Sequence, residues 1–308
     1  MRVMVLGGTG FLGRHVVAAL LARGHVVVVG SRNTARKTGA AASACDRRRV
    51  RFEQLVRPAQ WNAVTAGVEA VVNCVGILRE RHGETYECLH HRAPVLLARA
   101  CAGAGIRLVH VSALGLHPCA RSRFIRSKLA AEHAIRSAGT AVTIVRPSLL
   151  DGVGGFGARW IRAMARLPVH FVPVDAVGRI AALDVRDAGE AIAILCEEPA
   201  AGGPCEVDLG GAHAQTMAEY MASLRRQRVM MPARCIAVPA SIARLISHLC
   251  DLLHVSPFSF GHLELMRNDN LPAHNQLPII VGRAPRPVGT PARDVPMVGD
   301  ADLGRGLS

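Results

Sequence analysis

The run Arg2-Val3-Met4-Val5-Leu6, followed at once by Gly7-Gly8-Thr9-Gly10-Phe11-Leu12-Gly13, decides the fold. Its apolar residues read as a short buried strand that stops at a glycine turn. Leu12, Val16, Val17 and Leu20 then recur at helical spacing until Gly24, and His25-Val26-Val27-Val28-Val29 starts a second buried strand. Strand, glycine turn, helix and strand make one βαβ unit. Within it Gly7 permits the tight turn, Gly10 lets backbone N–H groups approach a pyrophosphate, and Gly13 lets helix and sheet pack closely. Three spaced glycines alone could be a structural turn, but the strand before them and the amphipathic helix after them point to a dinucleotide site. Thr9, Phe11 and Leu12 complete the cofactor-binding candidates of this turn.

Outward from this unit the alternation continues. The pattern predicts strands at 50–53, 69–75, 107–112 and 141–145, with helices at 85–104 and 123–138. Continuous apolar runs such as Val71-Val72-Asn73-Cys74-Val75 suit a parallel sheet covered on both faces. Beyond 156 the regularity declines, with helices expected at 157–166, 186–197, 216–226, 239–254 and 258–268 and short strands at 170–173, 178–183 and 205–208. The expected fold is α/β, a doubly wound parallel sheet of Rossmann type with a small C-terminal capping lobe. Residues 1–155, completed by about 178–198, would form the nucleotide-binding core, and 156–177 with 199–280 the lobe. The Pro-, Gly- and Arg-rich stretch 281–308 reads as a flexible tail.

Composition narrows the function. The 308 residues are 50% hydrophobic, enough for a large core, yet no apolar run reaches the roughly eighteen residues of a membrane helix. Met1 opens the first strand, so no signal peptide is expected, and the nine cysteines form no CxxC and suit a reducing compartment. Both point to the cytoplasm or the cytoplasmic face of a membrane. The net charge is +14, nearly all of it arginine, since Lys37 and Lys128 are the only lysines. The clusters Arg47-Arg48-Arg49-Arg51 and Arg225-Arg226-Arg228 read as solvated faces, or as attraction to anionic lipid or another polyanion. With aromatics at 4% and no recognition motif, nucleic acid is not expected as a partner. The fourteen histidines show no HExxH or comparable spacing, and His90-His91 abut on a helix facing different ways, so no metal is expected. His248 and His254 with Cys250 and Asp251 read as a mixed helix surface. In the helix at 239–254, Ile242, Leu245, Ile246, Leu249, Leu252 and Leu253 lie opposite Arg244 and His248. That helix packs the lobe's core, or it faces a membrane surface or a quinone.

Two further places carry chemistry. The second strand ends in Gly30-Ser31-Arg32-Asn33, with Arg36 and Lys37 close behind, where an acidic residue would select NAD(H). Ser31 can donate to a ribose 2′-phosphate and Arg32 can fork onto it, so NADP(H) is preferred, with NAD(H) as the alternative. Ser112 ends a strand on the carboxyl side of the sheet, where open α/β folds bind ligands, and Lys128 follows sixteen residues later on a helix.

GGTGFLG, VVNCVGIL, LVHVSALG, SRFIRSK and IVRPS, in this order, resemble the short-chain dehydrogenase/reductase superfamily. VNCVGIL and HVSALG, with the late DLGG, TMAEY and HLELMRNDN, resemble its atypical branch, named after the Rossmann-type accessory subunit of respiratory complex I. The likeness spans residues 1 to about 270. It implies NAD(P)H binding and, for some members, links to ubiquinone biosynthesis or complex I assembly. It implies further that Ser112 is the active-site serine and that Lys128 bonds the nicotinamide ribose. By the same resemblance Asn73, Val75 and Gly76 run beside the cofactor, and Arg146, Pro147 and Ser148 follow the sixth strand. The catalytic tyrosine position, four before Lys128, is Phe124, which cannot relay a proton; Tyr86 and Tyr220 are not followed by lysine at that spacing. Leu55 stands where the family places an adenine-binding aspartate. The leading expectation is an NADP(H)-binding protein serving quinone or respiratory-chain metabolism, its nucleotide structural or sensory. The alternatives are an active reductase, epimerase or isomerase using Ser112 or water as acid, and an assembly protein with an empty nucleotide site.

Overall fold

The computed structural model describes residues 1–32, 45–81, 83–138, 142–197, 205–253 and 258–288. Strands β1 (Arg2–Leu6), β2 (Val26–Ser31), β3 (Asp46–Arg49), β4 (Ala70–Asn73), β5 (Arg107–Val111) and β6 (Val142–Pro147) belong to one parallel sheet. The short β7 (Leu150–Asp151), β8 (Val169–Pro173), β9 (Arg179–Ile180) and β10 (Leu183–Asp184) follow, before β11 (Cys205–Leu209) returns to the sheet; β12 (Gln215–Thr216) and β13 (Arg234–Val238) lie outside it. Helices α1 (Phe11–Ala22), α2 (Pro58–Val64), α3 (Ala93–Ala104) and α4 (Arg123–Arg136) connect the first six strands. They are followed by α5 (Phe156–Arg166), α6 (Val185–Glu197), α7 (Met217–Arg226), α8 (Ala240–Leu253), α9 (Phe260–Leu265) and α10 (Leu277–Val281).

The sheet runs β11-β6-β5-β4-β1-β2-β3. The chain winds outward from β1 to β3 and then crosses back to place β4 on the other side of β1. The carboxyl ends of β1 and β4 therefore flank the topological switch point, where such sheets open a crevice. Successive side chains of a strand leave on opposite faces. Val3 and Val5 accordingly join the core built with α1, α6 and α10, while Met4 and Leu6 join the core built with α2, α3 and α4. In the lobe, α5 and α7 close over Ile180 and Tyr220, and β8 pairs in parallel with β13.

Four expectations need correction. The third strand is Asp46–Arg49, in register with Val28–Ser31, and not 50–53. Phe52 instead packs edge-on to Trp61, with ring centroids 5.0 Å apart, inside a 3-10 turn. An edge strand needs one neighbour only, so arginines are tolerated there, and their charge discourages further pairing. Cys205–Leu209 pairs with Thr143–Pro147 inside the main sheet, so a lobe starting at 199 would cut through it. Arg225, expected in a solvated cluster, is buried and donates to the carbonyls of Ala165 (2.9 Å), Leu167 (2.8 Å) and Met231 (2.5 and 3.0 Å). Finally, residues 281–288 are tied down: Arg283 bonds the buried Asp187 carboxylate at 2.7 Å, and the Arg286 N–H donates to it at 2.6 Å. The rest of the expected tail, with Asn33, Arg36, Lys37 and His254, lies outside the described residues.

Candidate nucleotide-binding site

The glycine turn is stitched to the sheet edge of the crevice. Gly7 N–H donates to Gly30 O (3.0 Å), Gly8 N–H to Val5 O (3.2 Å) and Gly10 N–H to Gly7 O (2.8 Å). Gly7 sits at φ 74°, a conformation L side chains rarely adopt. A Cβ on Gly13 would lie 2.2 Å from Gly7 O, so only glycine lets α1 start this close to the turn. Thr9 and Gly10 are exposed at the tip, and α1 begins on Gly10 without a side-chain cap. Its first N–H groups and its dipole are left for an anion. Phe11 turns the other way: its ring lies edge-on to His15, 6.2 Å between centroids, and fills the space beside Gly155.

Across the crevice, Asn73 is fully buried at the end of β4. Its amide donates to His110 Nδ1 (3.1 Å) and its carbonyl oxygen accepts from Val75 N–H (3.1 Å). Burial, reinforced by the Lys128 charge, pushes His110 down to about 3, so it stays neutral and Nδ1 can accept. Next along the strand exit, Ile77 N–H donates to His90 Nε2 (3.0 Å), His90 Nδ1 lies 3.2 Å from Ser127 Oγ, and that hydroxyl donates to Phe124 O (3.0 Å). Burial, then the charge of Lys128, holds His90 well below its usual value, which fits Nδ1–H as donor and Nε2 as acceptor. This chain ties the loop after β4 to α4 and so sets the height of Lys128. The residues Glu87–Arg92 are π-helical, and that wider turn carries His90 inward while His91 meets Glu87 at the surface (2.8 Å).

Ser112 follows β5 directly, and Lys128 stands beside Gly76 at the exit of β4. Ser112 Oγ is buried and has no hydrogen-bond partner among the described residues. Lys128 makes no hydrogen bond or ion pair to the described residues; its Nζ stands 4.0 Å from where a Cβ on Gly76 would be and 5.9 Å from the Phe124 ring centre. Burial lowers its pKa to about 8, only partly offset by Glu132. Phe124 is held among Tyr86, His90 and His262, with centroids 5.8, 5.4 and 5.9 Å away. Tyr86 offers no substitute phenol: its hydroxyl donates to Leu78 O (2.9 Å), and burial raises it to about 12.

Other candidates are placed elsewhere. Arg146 bonds Glu132 (2.5 Å) and Glu206 (2.6 Å) under α4, and Pro147 O accepts Leu114 N–H (3.0 Å). Ser148 Oγ donates to Asn270 O (2.8 Å) and accepts from Ala181 N–H (3.0 Å). This segment therefore props the Ser112 loop and the lobe through these contacts. Ser31 is buried, whereas Arg32 is exposed and ion-paired with Glu84, which comes from the loop after β4. Leu55 packs against the apolar cluster of α2 and α3. Sequence reasoning missed His90, His110, Ser127 and Glu84; only the buried position of His90 within an apolar helix face hinted at one of them.

The glycine turn and the uncapped start of α1 fit the phosphates of a nucleotide. A family model described as NAD(P)H-binding matches residues 7–179. The chain belongs to this NAD(P)H-binding family. Among its relatives, a ceramide reductase of Caulobacter vibrioides is 30% identical over 203 residues, 65% of this chain and 62% of that protein. The mitochondrial NADH dehydrogenase [ubiquinone] 1 alpha subcomplex subunit 9 of Arabidopsis thaliana is 27% identical over 285 residues, 87% of this chain and 68% of that one. The chain thus spans less than two thirds of the ceramide reductase. Among solved structures, MoeE5 in complex with UDP-glucuronic acid and NAD superposes with a TM-score of 0.67 at 19% identity, covering 93% of this chain and 94% of that one. That similarity shows the Rossmann-type fold.

Proposed function

We propose that this NAD(P)H-binding protein holds NADP(H) without an efficient proton relay, in the service of quinone or respiratory-chain metabolism at an anionic membrane surface. The carrying observation is Phe124: the tyrosine position is a phenyl ring boxed in by three other rings, and the nearest phenol is committed to a carbonyl. Gly7, Gly10 and Gly13 with the free end of α1 would take the pyrophosphate, Asn73, Val75 and Gly76 would run beside the cofactor, and Lys128 would donate to the nicotinamide ribose. The cofactor, when bound, supplies hydride. General acid catalysis typically contributes about 10²–10⁴ in rate, and that contribution is what Phe124 removes. The complex I relatives support the respiratory-chain part of this reading.

A second reading, an active carbonyl reductase with Ser112 as acid, is favoured by the unpartnered Ser112 hydroxyl and by the ceramide reductase relative. One experiment separates them. NADPH is titrated into the protein and into Lys128→Ala, and its oxidation is then followed. Binding that weakens in the variant, with no oxidation in either, is the expected result. Oxidation lost in Ser112→Ala would establish the second reading.

A further inference from the structure

Helix α8 turns its small residues inward. Ala243 and Ser247 are its buried residues, its end is tied down where Asp251 accepts Phe260 N–H at 2.9 Å, and the exposed His248 stacks on Phe260 with centroids 4.7 Å apart. Ile242, Leu245, Ile246, Leu249 and Leu253 are all exposed, Leu245 at 61%. A lone exposed leucine needs no explanation, but six exposed large aliphatic residues on one helix, Leu252 at 74% included, do. The strand that leads into α8 continues the pattern, because Ile236 of β13 lies in register beside Phe171 of β8, which is 66% exposed. The loop before β13 is more extreme. Val229 is 95% exposed and holds φ 54°, unfavourable for a β-branched residue, and Met231 is 81% exposed. This loop is anchored: the buried Arg225 grips Met231 O, and Arg225 O accepts Met230 N–H at 3.2 Å.

Charge says what covers these residues. Between Glu219 and Asp251 the chain carries five arginines and no acid. Arg225 is internal, while Arg226, Arg228, Arg234 and Arg244 are exposed among the aliphatic side chains. A second copy would oppose arginine to arginine without a carboxylate between them, which a self-complementary interface does not tolerate. Aliphatic side chains interleaved with cations suit the boundary between acyl chains and anionic headgroups.

We infer that the Val229–Met231 loop, the β8–β13 pair and the outer face of α8 dock the protein onto an anionic lipid bilayer, the loop and helix entering the headgroup region. This deepens the membrane part of the proposed function and is independent of whether the nucleotide site is filled. No described helix is long and apolar enough to cross a membrane, so the contact is peripheral.

The test is sedimentation with vesicles of phosphatidylcholine containing phosphatidylglycerol, beside vesicles of phosphatidylcholine alone. The full chain should bind the anionic vesicles at low ionic strength and leave them as salt rises. Val229→Ser with Met231→Ser, and Leu245→Gln with Leu249→Gln, should each weaken binding about tenfold or more, the factor that follows from losing burial of one large aliphatic side chain. Arg234→Glu with Arg244→Glu should remove the preference for anionic vesicles. NADPH titration of the same samples should give unchanged affinity, so a failure of docking is distinguishable from a failure of the nucleotide site. No binding to anionic vesicles at low salt, binding that survives both apolar variants, or concentration-dependent self-association removed by the same substitutions would each overturn the inference.

Discussion

Arg32 is exposed, and its guanidinium is shared with Glu84. A 2′-phosphate must displace that carboxylate, which an exposed pair worth about 0–1 kcal/mol permits. NADPH is therefore expected to bind more tightly than NADH. Arg32→Ala should narrow the difference by about 1–3 kcal/mol, and Glu84→Gln should widen it by less than about 1 kcal/mol. Calorimetric titration of both nucleotides reads this out, and equal affinities in the starting protein would refute it. Lys128 gives a second expectation. Its folded-state pKa of about 8 lies below the ordinary 10.5, so the unfolded chain binds more protons across that window and stability rises with pH there. Lys128→Met should stabilise the apo protein near pH 7 by on the order of 1–3 kcal/mol, with the gain shrinking toward pH 10, while NADPH binding weakens. Urea unfolding at both pH values checks the sign; a loss of stability at pH 7 would contradict it. The placement of Ser112 at the end of β5 and of Lys128 on α4 was legible in the sequence, because one closes an apolar run and the other follows it at helical spacing. Glu84 was not, since no local pattern says that the loop after β4 reaches the end of β2.

The same contrast holds for elements. The first βαβ unit could be read because periodicity, turn chemistry and length all agree in it. The basic edge strand Asp46–Arg49 could not, because its pairing with β2 overrides a sequence that looks like a solvated loop. Strand β13 was missed for a related reason: its half-apolar, exposed residues carry no burial alternation. Helix α8 was found at nearly its true limits, yet its amphipathic pattern left open which face turns inward, and the structure turns the small one. The anchor of its preceding loop is testable. Arg225→Ala strips donors from three buried or half-buried carbonyl groups, so the lobe should lose about 2–4 kcal/mol. Hydrogen exchange should show the loss in α5 and α7 and leave the amides of β1 and β4 protected. Uniform loss across the main sheet would mean that the lobe does not open on its own.

At the scale of the molecule, the parallel sheet with helices on both faces puts the glycine turn after β1 and the Asn73 exit of β4 on the two sides of one switch point. The segment after β6 is used to hold the lobe, and Arg283 and Arg286 bind the end of the described chain onto α6. On the proposed reading, the glycine cradle, Ser112 and Lys128, the last two without a side-chain hydrogen-bond partner among the described residues, would hold the ligand, and Phe124 would leave the same place without a proton donor. The most direct measurement of that combination is absorbance of NADPH at stoichiometric occupancy on the native protein, mixed with carbonyls, sugar nucleotides and short-chain quinones. Each quinone is matched against free NADPH, because quinones accept hydride with little help from a protein acid. The expected trace is saturable binding followed by no oxidation above that of free NADPH. Turnover within the usual range of roughly 1–10³ s⁻¹ with any of these substrates would contradict it.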